Sequence, residues 1–155
     1  MKLTGQTILI ADDNSDDRFF IERAVKRVAD GLSVQFVASG QEAVAYLNGT
    51  GAYADRRLFP YPSFVITDCE MPDGDGFSVL RWLQTSAPAP MRVMMLSSSE
   101  DTEHSSRAFG LGANSYVLKP ADPNALVSIV SKFLDPPARE NRERLDPHAL
   151  GVTRI

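Results

Sequence analysis

The sequence predicts an α/β fold in which an open parallel sheet carries helices on both faces. Short apolar runs alternate with amphipathic stretches along most of the chain, which is typical of repeated strand–helix–strand units. Runs such as residues 7–11 and 93–96 are almost wholly apolar, as strands buried on both faces are. Because parallel strands are joined by right-handed crossovers, the connecting helices are expected on both sides of the sheet.

Five strands are predicted, each from a short apolar or alternating run. They cover residues 7–11, 32–37, 64–67, 93–96 and 116–118. The second run alternates apolar and polar residues, whereas the others are mainly apolar. The third strand runs into Asp68 and the fifth into Lys119, so a charged residue follows each of these two strands.

Five helices are predicted to follow these strands, at residues 15–29, 41–47, 77–84, 101–111 and 123–134. Asn14 or Ser15 can cap the first helix. The apolar side chains near helical spacing in that helix are Phe19, Phe20, Ala24 and Val28. Gly49 suits the end of the second helix, and Pro123 suits the first turn of the last.

Two segments stand outside this alternation. The chain has 155 residues, and a prior of roughly 150 residues per domain predicts a single domain. We therefore expect one domain over residues 1–134 and a short charged tail over residues 135–155, which is too short to form an output domain. Residues 49–62 form a polar and aromatic loop that exceeds the usual connection of about two to six residues, and a variable insertion would also explain it.

The overall composition argues against several classes of protein. The net charge is −4, from 16 basic and 20 acidic residues, so neither a nucleic-acid binder nor a membrane-surface binder is expected. A single cysteine excludes an intramolecular disulfide and a cysteine zinc site, and it suggests a reducing compartment. No signal peptide is recognised, and no apolar run approaches the roughly 18 residues of a membrane span. These features predict a cytoplasmic protein.

Polar residues stand where the predicted strands end. Asp12 and Asp13 follow the first strand, Asp68 the third, Ser97 the fourth and Lys119 the fifth. In an open α/β sheet, the carboxyl ends of the strands lie at one edge, where ligands bind. Three carboxylates in one cleft repel each other, and oxygen ligands without His or Cys indicate Mg²⁺ or Ca²⁺. We favour Mg²⁺, because phosphate oxygens often complete its coordination and because Lys119 and Ser97 supply a positive charge and a hydroxyl for phosphate.

Several other polar residues have simpler interpretations. Asp16 and Asp17 suit the positive end of the first helix, so we interpret them as partners of the helix dipole rather than as ligands. Cys69 is interpreted as a small buried hydrophobic residue. His104 and His148 have no partners at metal-ligand spacing.

Four motifs that occur in order along the chain are together highly specific. They lie at residues 8–14, 65–76, 95–98 and 112–120, and they read ILIADDN, VITDCEMPDGDG, MLSS and GANSYVLKP. Over about residues 6–134, the sequence resembles a receiver domain of two-component response regulators. This resemblance implies a flavodoxin-like (βα)5 fold, a doubly wound parallel sheet with the strand order 2-1-3-4-5.

The resemblance also implies how the acidic residues act. Asp68 would be the carboxylate that accepts a phosphoryl group. Asp13 and Asp68 would bind Mg²⁺ directly, together with the backbone carbonyl of Glu70, and Asp12 would act through bound water.

The remaining site residues would follow the phosphoryl group. Lys119 would pair with the phosphate, and Ser97 would form a hydrogen bond to a phosphate oxygen. Tyr116 would be the aromatic side chain that turns inward on activation. The resemblance further implies a cis peptide between Lys119 and Pro120.

The function that the resemblance implies is a phosphoacceptor switch. A sensor histidine kinase or a histidine phosphotransfer protein would donate the phosphoryl group, and the altered surface would bind a downstream protein. Residues 49–62 and 112–120 resemble single-domain regulators associated with bacterial phytochromes, which suggests a phytochrome-type photoreceptor as the kinase. A homodimer is left open. The protein would not be an enzyme in the usual sense, although phosphorylation by small donors and self-dephosphorylation are expected.

Two alternatives are left open, and the first of them has the same fold. The first is a protein-binding scaffold that is never phosphorylated, which predicts the loss of an acidic or lysine position, and none is lost here. The second is a magnesium phosphatase with an aspartate nucleophile. Such an enzyme requires a second aspartate two residues after Asp68, and Glu70 stands there instead.

Overall fold

The sheet has five parallel strands in the order β2-β1-β3-β4-β5. The computed structural model describes residues 1–135, so the predicted tail lies almost wholly outside the described residues. The strands are β1 Thr7–Ala11, β2 Ser33–Val37, β3 Phe64–Asp68, β4 Arg92–Ser97 and β5 Ser115–Leu118. Both the predicted class and the strand order are confirmed.

Five helices connect and follow the strands. They are α1 Ser15–Val28, α2 Gly40–Asn48, α3 Gly76–Ser86, α4 Thr102–Gly110 and α5 Pro123–Leu134. Each lies within two residues of its predicted bounds. Asn14 caps α1, because its side-chain oxygen accepts a hydrogen bond from the amide of Asp17 at 3.0 Å.

The sequence pattern matches a difference in burial between the central strands β1 and β3 and the edge strand β2. All five residues of β1 and all five of β3 are buried, since helices cover both faces of the middle of the sheet. The edge strand β2 is half exposed and carries the alternating pattern. Within residues 1–135, no helix combines the length and the apolar character that crossing a membrane requires.

The buried face of α1 differs from the predicted one. Phe19 is 57% exposed and Phe20 is 39% exposed, and their rings meet edge to face with centroids 5.4 Å apart. The helix buries Ala24, one of the four residues near helical spacing, together with Ile21 and Val25. These three residues are spaced i, i+3 and i+4, so they form one stripe on α1, which packs against α5 and β1.

The long segment after α2 folds back onto the end of that helix. Gly49 ends α2 in the left-handed conformation with φ 67°, and a short 3-10 turn follows at Gly51–Tyr53. The rings of Tyr46, Tyr53 and Phe59 then pack together, with centroids 5.2 to 6.0 Å apart. Residues 49–62 therefore form a packed element, which brings Arg56 to the carboxyl end of α2.

Candidate functional site

Three carboxylates meet at the carboxyl edge of the sheet. Asp12 and Asp13 follow β1, and Asp68 is the last residue of the neighbouring strand β3. One oxygen from each residue lies within 4.8 Å of the other two. Asp12 is 1% exposed and Asp68 is 8% exposed, whereas Asp13 is open to solvent. This acidic cluster forms because parallel strands deliver their carboxyl ends to a single edge.

Lys119 is the counter-charge of the acidic cluster. It follows β5, and its backbone amide donates to the carbonyl of Ser97 at 2.8 Å. Its Nζ lies 3.0 Å from Asp12 Oδ2 and 3.2 Å from Asp68 Oδ2. A lysine side chain thus reaches from β5 across β4 to the two strands that carry the carboxylates.

Asp17 is a member of the site that the sequence interpretation missed. Its Oδ2 lies 2.7 Å from Lys119 Nζ, closer than the oxygen of Asp12 or Asp68. Asp17 does lie in the first turn of α1, as the interpretation requires, but its side chain also pairs with Lys119. The available signal was its position in the first turn of α1, four residues after Asp13, because that turn begins directly at the end of β1.

Burial is the main electrostatic effect in the acidic cluster. It raises the pKa of Asp68 to about 6, against the lowering effect of Lys119 and of a hydrogen bond with the backbone of Glu70. Burial also raises the pKa of Asp12, although the amide of Asn14 and the ammonium of Lys119 oppose it. For Lys119, burial alone would lower the pKa, but hydrogen bonds to carboxylates raise it above its ordinary value. The lysine therefore stays cationic while Asp68 titrates near pH 6.

The donor set fits a hard divalent cation. The acidic cluster offers carboxylate oxygens alone, which are the ligands that Mg²⁺ prefers. A single ammonium offsets only part of the charge of the carboxylates around it, so a cation would relieve the repulsion that remains.

Ser97 and Tyr116 are both buried, and their hydroxyls form hydrogen bonds with the backbone of Ser99. The Ser97 hydroxyl accepts a hydrogen bond from the amide of Ser99 at 2.9 Å. The Tyr116 hydroxyl donates to the carbonyl of Ser99 at 3.1 Å. Tyr116 is already fully enclosed in this conformation. These two residues are thus joined through Ser99 and also by a direct hydrogen bond between their side chains.

The loop after Asp68 is fixed by close backbone approaches. The amide of Gly76 donates to the carbonyl of Cys69 at 3.0 Å, and a Cβ at Gly76 would collide with the carbonyl of Asp68. Asp75 caps α3 by accepting from the amide of Ser78 at 3.0 Å. These residues of the 65–76 motif therefore build the loop. The side chain of Glu70 is exposed, and the metal role of its carbonyl stays a prediction.

Three further expectations can be compared with the structure here. The described residues contain no cis peptide, so the predicted cis bond before Pro120 is wrong. The trans form is intrinsically favoured by about 0.5–1 kcal/mol, and with it Lys119 already reaches Asp68. Cys69 is buried as expected, and burial raises its pKa to about 11, which keeps the thiol neutral. His104 belongs to no cluster of possible metal ligands among the described residues, and its Nδ1 lies 3.8 Å from the sulfur of Cys69.

A sequence profile of the response regulator receiver domain matches residues 8–131. The chain belongs to this family. Receiver domains of two-component systems are in general phosphorylated, bind a divalent metal at the acidic pocket and are not, as a family, enzymes of the usual kind. This receiver domain carries an acidic cluster at the carboxyl edge of its sheet.

Curated relatives contain this receiver domain within longer chains. The transcriptional regulatory protein GltR of Pseudomonas aeruginosa is 30% identical over 135 residues, which cover 86% of this chain and 51% of GltR. The DNA-binding transcriptional regulator NtrC of Rhizobium meliloti is 28% identical over 137 residues, which cover 88% of this chain and 26% of NtrC. The chain thus spans about half or less of the length of these relatives.

Solved structures of response regulators from red light or phytochrome signalling are similar over most of their length. The response regulator RPA3017, in red light signalling of R. palustris, has a TM-score of 0.76 and 29% identity, covering 87% of this chain and 95% of that one. The phosphorylated cyanobacterial phytochrome response regulator RcpA has a TM-score of 0.75 and 28% identity, covering 86% and 96%. The bacteriophytochrome response regulator AtBRR has a TM-score of 0.63 and 33% identity, covering 77% and 85%. The receiver domain therefore resembles phytochrome-associated regulators in both sequence and structure.

Proposed function

We propose that this receiver domain accepts a phosphoryl group on Asp68 within a two-component phosphorelay. The observation that carries the proposal is the position of the Asp68 carboxylate, 3.2 Å from Lys119 Nζ and inside the acidic cluster. A nucleophilic carboxylate must be ionised and flanked by groups that offset the incoming negative charge. With a pKa of about 6, Asp68 is largely ionised at neutral pH.

The transfer step follows from these groups. An oxygen of Asp68 forms a bond to the phosphorus of a phosphohistidine donor, and the bond between that phosphorus and the imidazole nitrogen breaks. The electron pair leaves with the imidazole, which takes up a proton, and the product on Asp68 is an acyl phosphate. Lys119 supports the step because its ammonium already lies beside the attacking carboxylate and can bind the oxygens of the phosphoryl group.

Mg²⁺ is the cation that we propose for the acidic cluster. Asp13 and Asp68 would hold it together with the backbone carbonyl of Glu70, and Asp12 would act through bound water. When bound, Mg²⁺ neutralises charge on the transferred phosphoryl group. The all-oxygen donor set of the cluster supports this choice.

The proposed output passes through Ser97 and Tyr116. Both hydroxyls bond Ser99 in this conformation, one at its amide and the other at its carbonyl. When the Ser97 hydroxyl turns to a phosphoryl oxygen, it gives up the amide of Ser99, and this change reaches Tyr116 through the same residue. The surface of α4, β5 and α5 would then change for a downstream protein.

The proposed partners follow from the family and its relatives. The donor is a sensor histidine kinase or a histidine phosphotransfer protein, and a phytochrome-type photoreceptor is the kinase that we favour. Similarity to RcpA, AtBRR and RPA3017 supports this choice, because their names place them in phytochrome or red light signalling. We assign the receiver domain to residues 1–134 and place the protein in the cytoplasm. The acidic net charge supports a protein rather than a nucleic acid or a membrane as the target.

The proposal is tested by incubating the protein with acetyl phosphate and Mg²⁺ and recording its intact mass. We expect one phosphoryl adduct on the wild type and none on Asp68→Asn. Asp73→Asn is the matched control, because Asp73 lies exposed in the same loop with φ 51°, a conformation that asparagine tolerates. An adduct that persists on Asp68→Asn contradicts the assignment, and a wild type that forms none supports the scaffold alternative.

A further inference from the structure

Lys119 contacts three carboxylates, and one of them, Asp17, lies outside the acidic cluster. An ammonium has three donor hydrogens, and oxygens of Asp12, Asp17 and Asp68 lie 3.0, 2.7 and 3.2 Å from Nζ. The lysine side chain is 18% exposed, so water has little access to it. A phosphoryl oxygen can therefore bind Lys119 well only if one of the three contacts is given up.

The three contacts differ in how easily they are released. Asp12 is 1% exposed, so losing Lys119 would leave a buried carboxylate without its ammonium. Asp68 is the group that becomes phosphorylated. The side chain of Asp17 is 37% exposed, so solvent can take over its charge at small cost.

The surroundings of Asp17 allow this release without moving α1. Its backbone amide is held by Asn14 at 3.0 Å, which fixes the first turn of the helix. A cavity of about 230 Å³ lies beside the pair of Asp17 and Lys119, lined by both residues and by Phe20 and Pro120 among others. The carboxylate of Asp17 can therefore swing away from Lys119 by side-chain rotation alone.

We propose that Asp17 is a positioning residue that holds Lys119 in the unphosphorylated state and gives it up to the phosphoryl group. This inference rests on the proposed phosphorylation of Asp68. Asp17 thus competes with the phosphoryl oxygens for one ammonium. Replacing Asp17 removes a contact that exists only in the unphosphorylated protein. The phosphorylated state is then stabilised relative to the unphosphorylated state.

The test measures the affinity of the wild type and its variants for beryllofluoride, a phosphoryl mimic, at saturating Mg²⁺. We expect Asp17→Asn to bind roughly two- to fivefold more tightly than the wild type, the scale of a partly exposed ion pair. Asp16→Asn is the matched control, since it removes the same charge from the same helix turn and has no described contact with Lys119. It should bind as the wild type does. Asp17→Glu keeps the carboxylate and should return the affinity towards that of the wild type.

The outcomes separate this inference from the proposed function. Unchanged or weaker binding by Asp17→Asn overturns the positioning role while leaving Asp68 as the acceptor. Equal gains in Asp16→Asn and Asp17→Asn also overturn it, because the effect would then be one of overall charge. A wild type that does not bind beryllofluoride overturns the proposed function, and the role of Asp17 with it.

Discussion

Lys119 and Arg56 each satisfy three oxygens with one cation, in two different regions of the molecule. Lys119 contacts three carboxylates, which come from the ends of β1 and β3 and from α1. Arg56 donates to three backbone carbonyls, to Tyr46 at 2.7 Å, to Leu47 at 2.6 Å and to Phe59 at 3.1 Å. Similar numbers of contacts therefore serve two different purposes.

The chemistry of the acceptors separates the two regions. The carbonyls around Arg56 carry no titratable charge, and two of them end α2, where a cation is favourable to the helix dipole. The planar guanidinium fits them with a fixed fork. The carboxylates around Lys119 titrate, bind cations and, at Asp68, are proposed to change chemically. A lysine is a point charge on a flexible stem, so it can change partners. We therefore expect the contacts of Arg56 to stay fixed and those of Lys119 to be exchanged on phosphorylation.

The largest expected effect comes from replacing Lys119. Lys119→Met should slow phosphorylation by acetyl phosphate roughly a hundredfold, because a preorganised donor at the site of developing charge is lost. The rate of adduct formation, followed by intact mass, measures this. Lys26→Met is the control, because Lys26 is exposed and pairs only with Glu22 among the described ion pairs. Equal rates in the two variants would show that Lys119 takes no part in the transfer.

Replacing Arg56 should lower the free energy of unfolding and leave the phosphorylation rate unchanged. Arg56→Met is expected to lower the free energy of unfolding by about 2 kcal/mol, because three carbonyls lose a charged donor. Arg56→Lys should recover only part of this loss, since it lacks the fork. Urea unfolding gives the values, and Arg57→Met, at a side chain 92% exposed, should lie within about 0.5 kcal/mol of the wild type. A change in phosphorylation rate in Arg56→Met would contradict the separation of the two regions.

The acidic cluster should also make stability depend on pH in the absence of metal. The pKa of Asp68 rises from 3.8 to about 6 on folding, so the folded state binds its proton more tightly. This contribution is fully present below pH 3.8 and is lost as the pH rises through about 6. From about pH 5 to about pH 7.5, the wild type should lose roughly 1 kcal/mol more stability than Asp68→Asn.

Urea unfolding in the presence of a chelator, at the two pH values, measures this difference. Mg²⁺ should diminish it, because a bound cation stabilises the ionised carboxylates. Equal losses of stability in the wild type and in Asp68→Asn would show that the pKa of Asp68 does not cause this pH dependence.

The two regions were not equally predictable from the sequence. The acidic cluster could be predicted because Asp12, Asp13 and Asp68 follow strands whose carboxyl ends must share one edge. The acceptors of Arg56 are backbone carbonyls, which leave no mark on the sequence, so residues 49–62 were recognisable only as a long loop.

Side-chain direction limited the prediction elsewhere. Asp17 was assigned to the helix dipole because the sequence does not show that its side chain turns towards the end of β5. Phe19 and Phe20 fit a helical period, but the packing of α1 against α5 selects the stripe that includes Ile21 instead. The Ser97 hydroxyl was expected to serve phosphate, and in this conformation it accepts from its own loop. Each difference depends on how a helix or loop is rotated about the sheet, which local pattern does not determine.

The most direct test of the central claim is to locate the phosphoryl group chemically. After incubation with acetyl phosphate and Mg²⁺, borohydride reduces an aspartyl phosphate to homoserine, and peptide mass mapping finds the converted residue. The account predicts conversion at Asp68 alone, with Asp12, Asp13 and Asp17 unmodified. Conversion at another carboxylate, or phosphorylated protein with Asp68 intact, would contradict it.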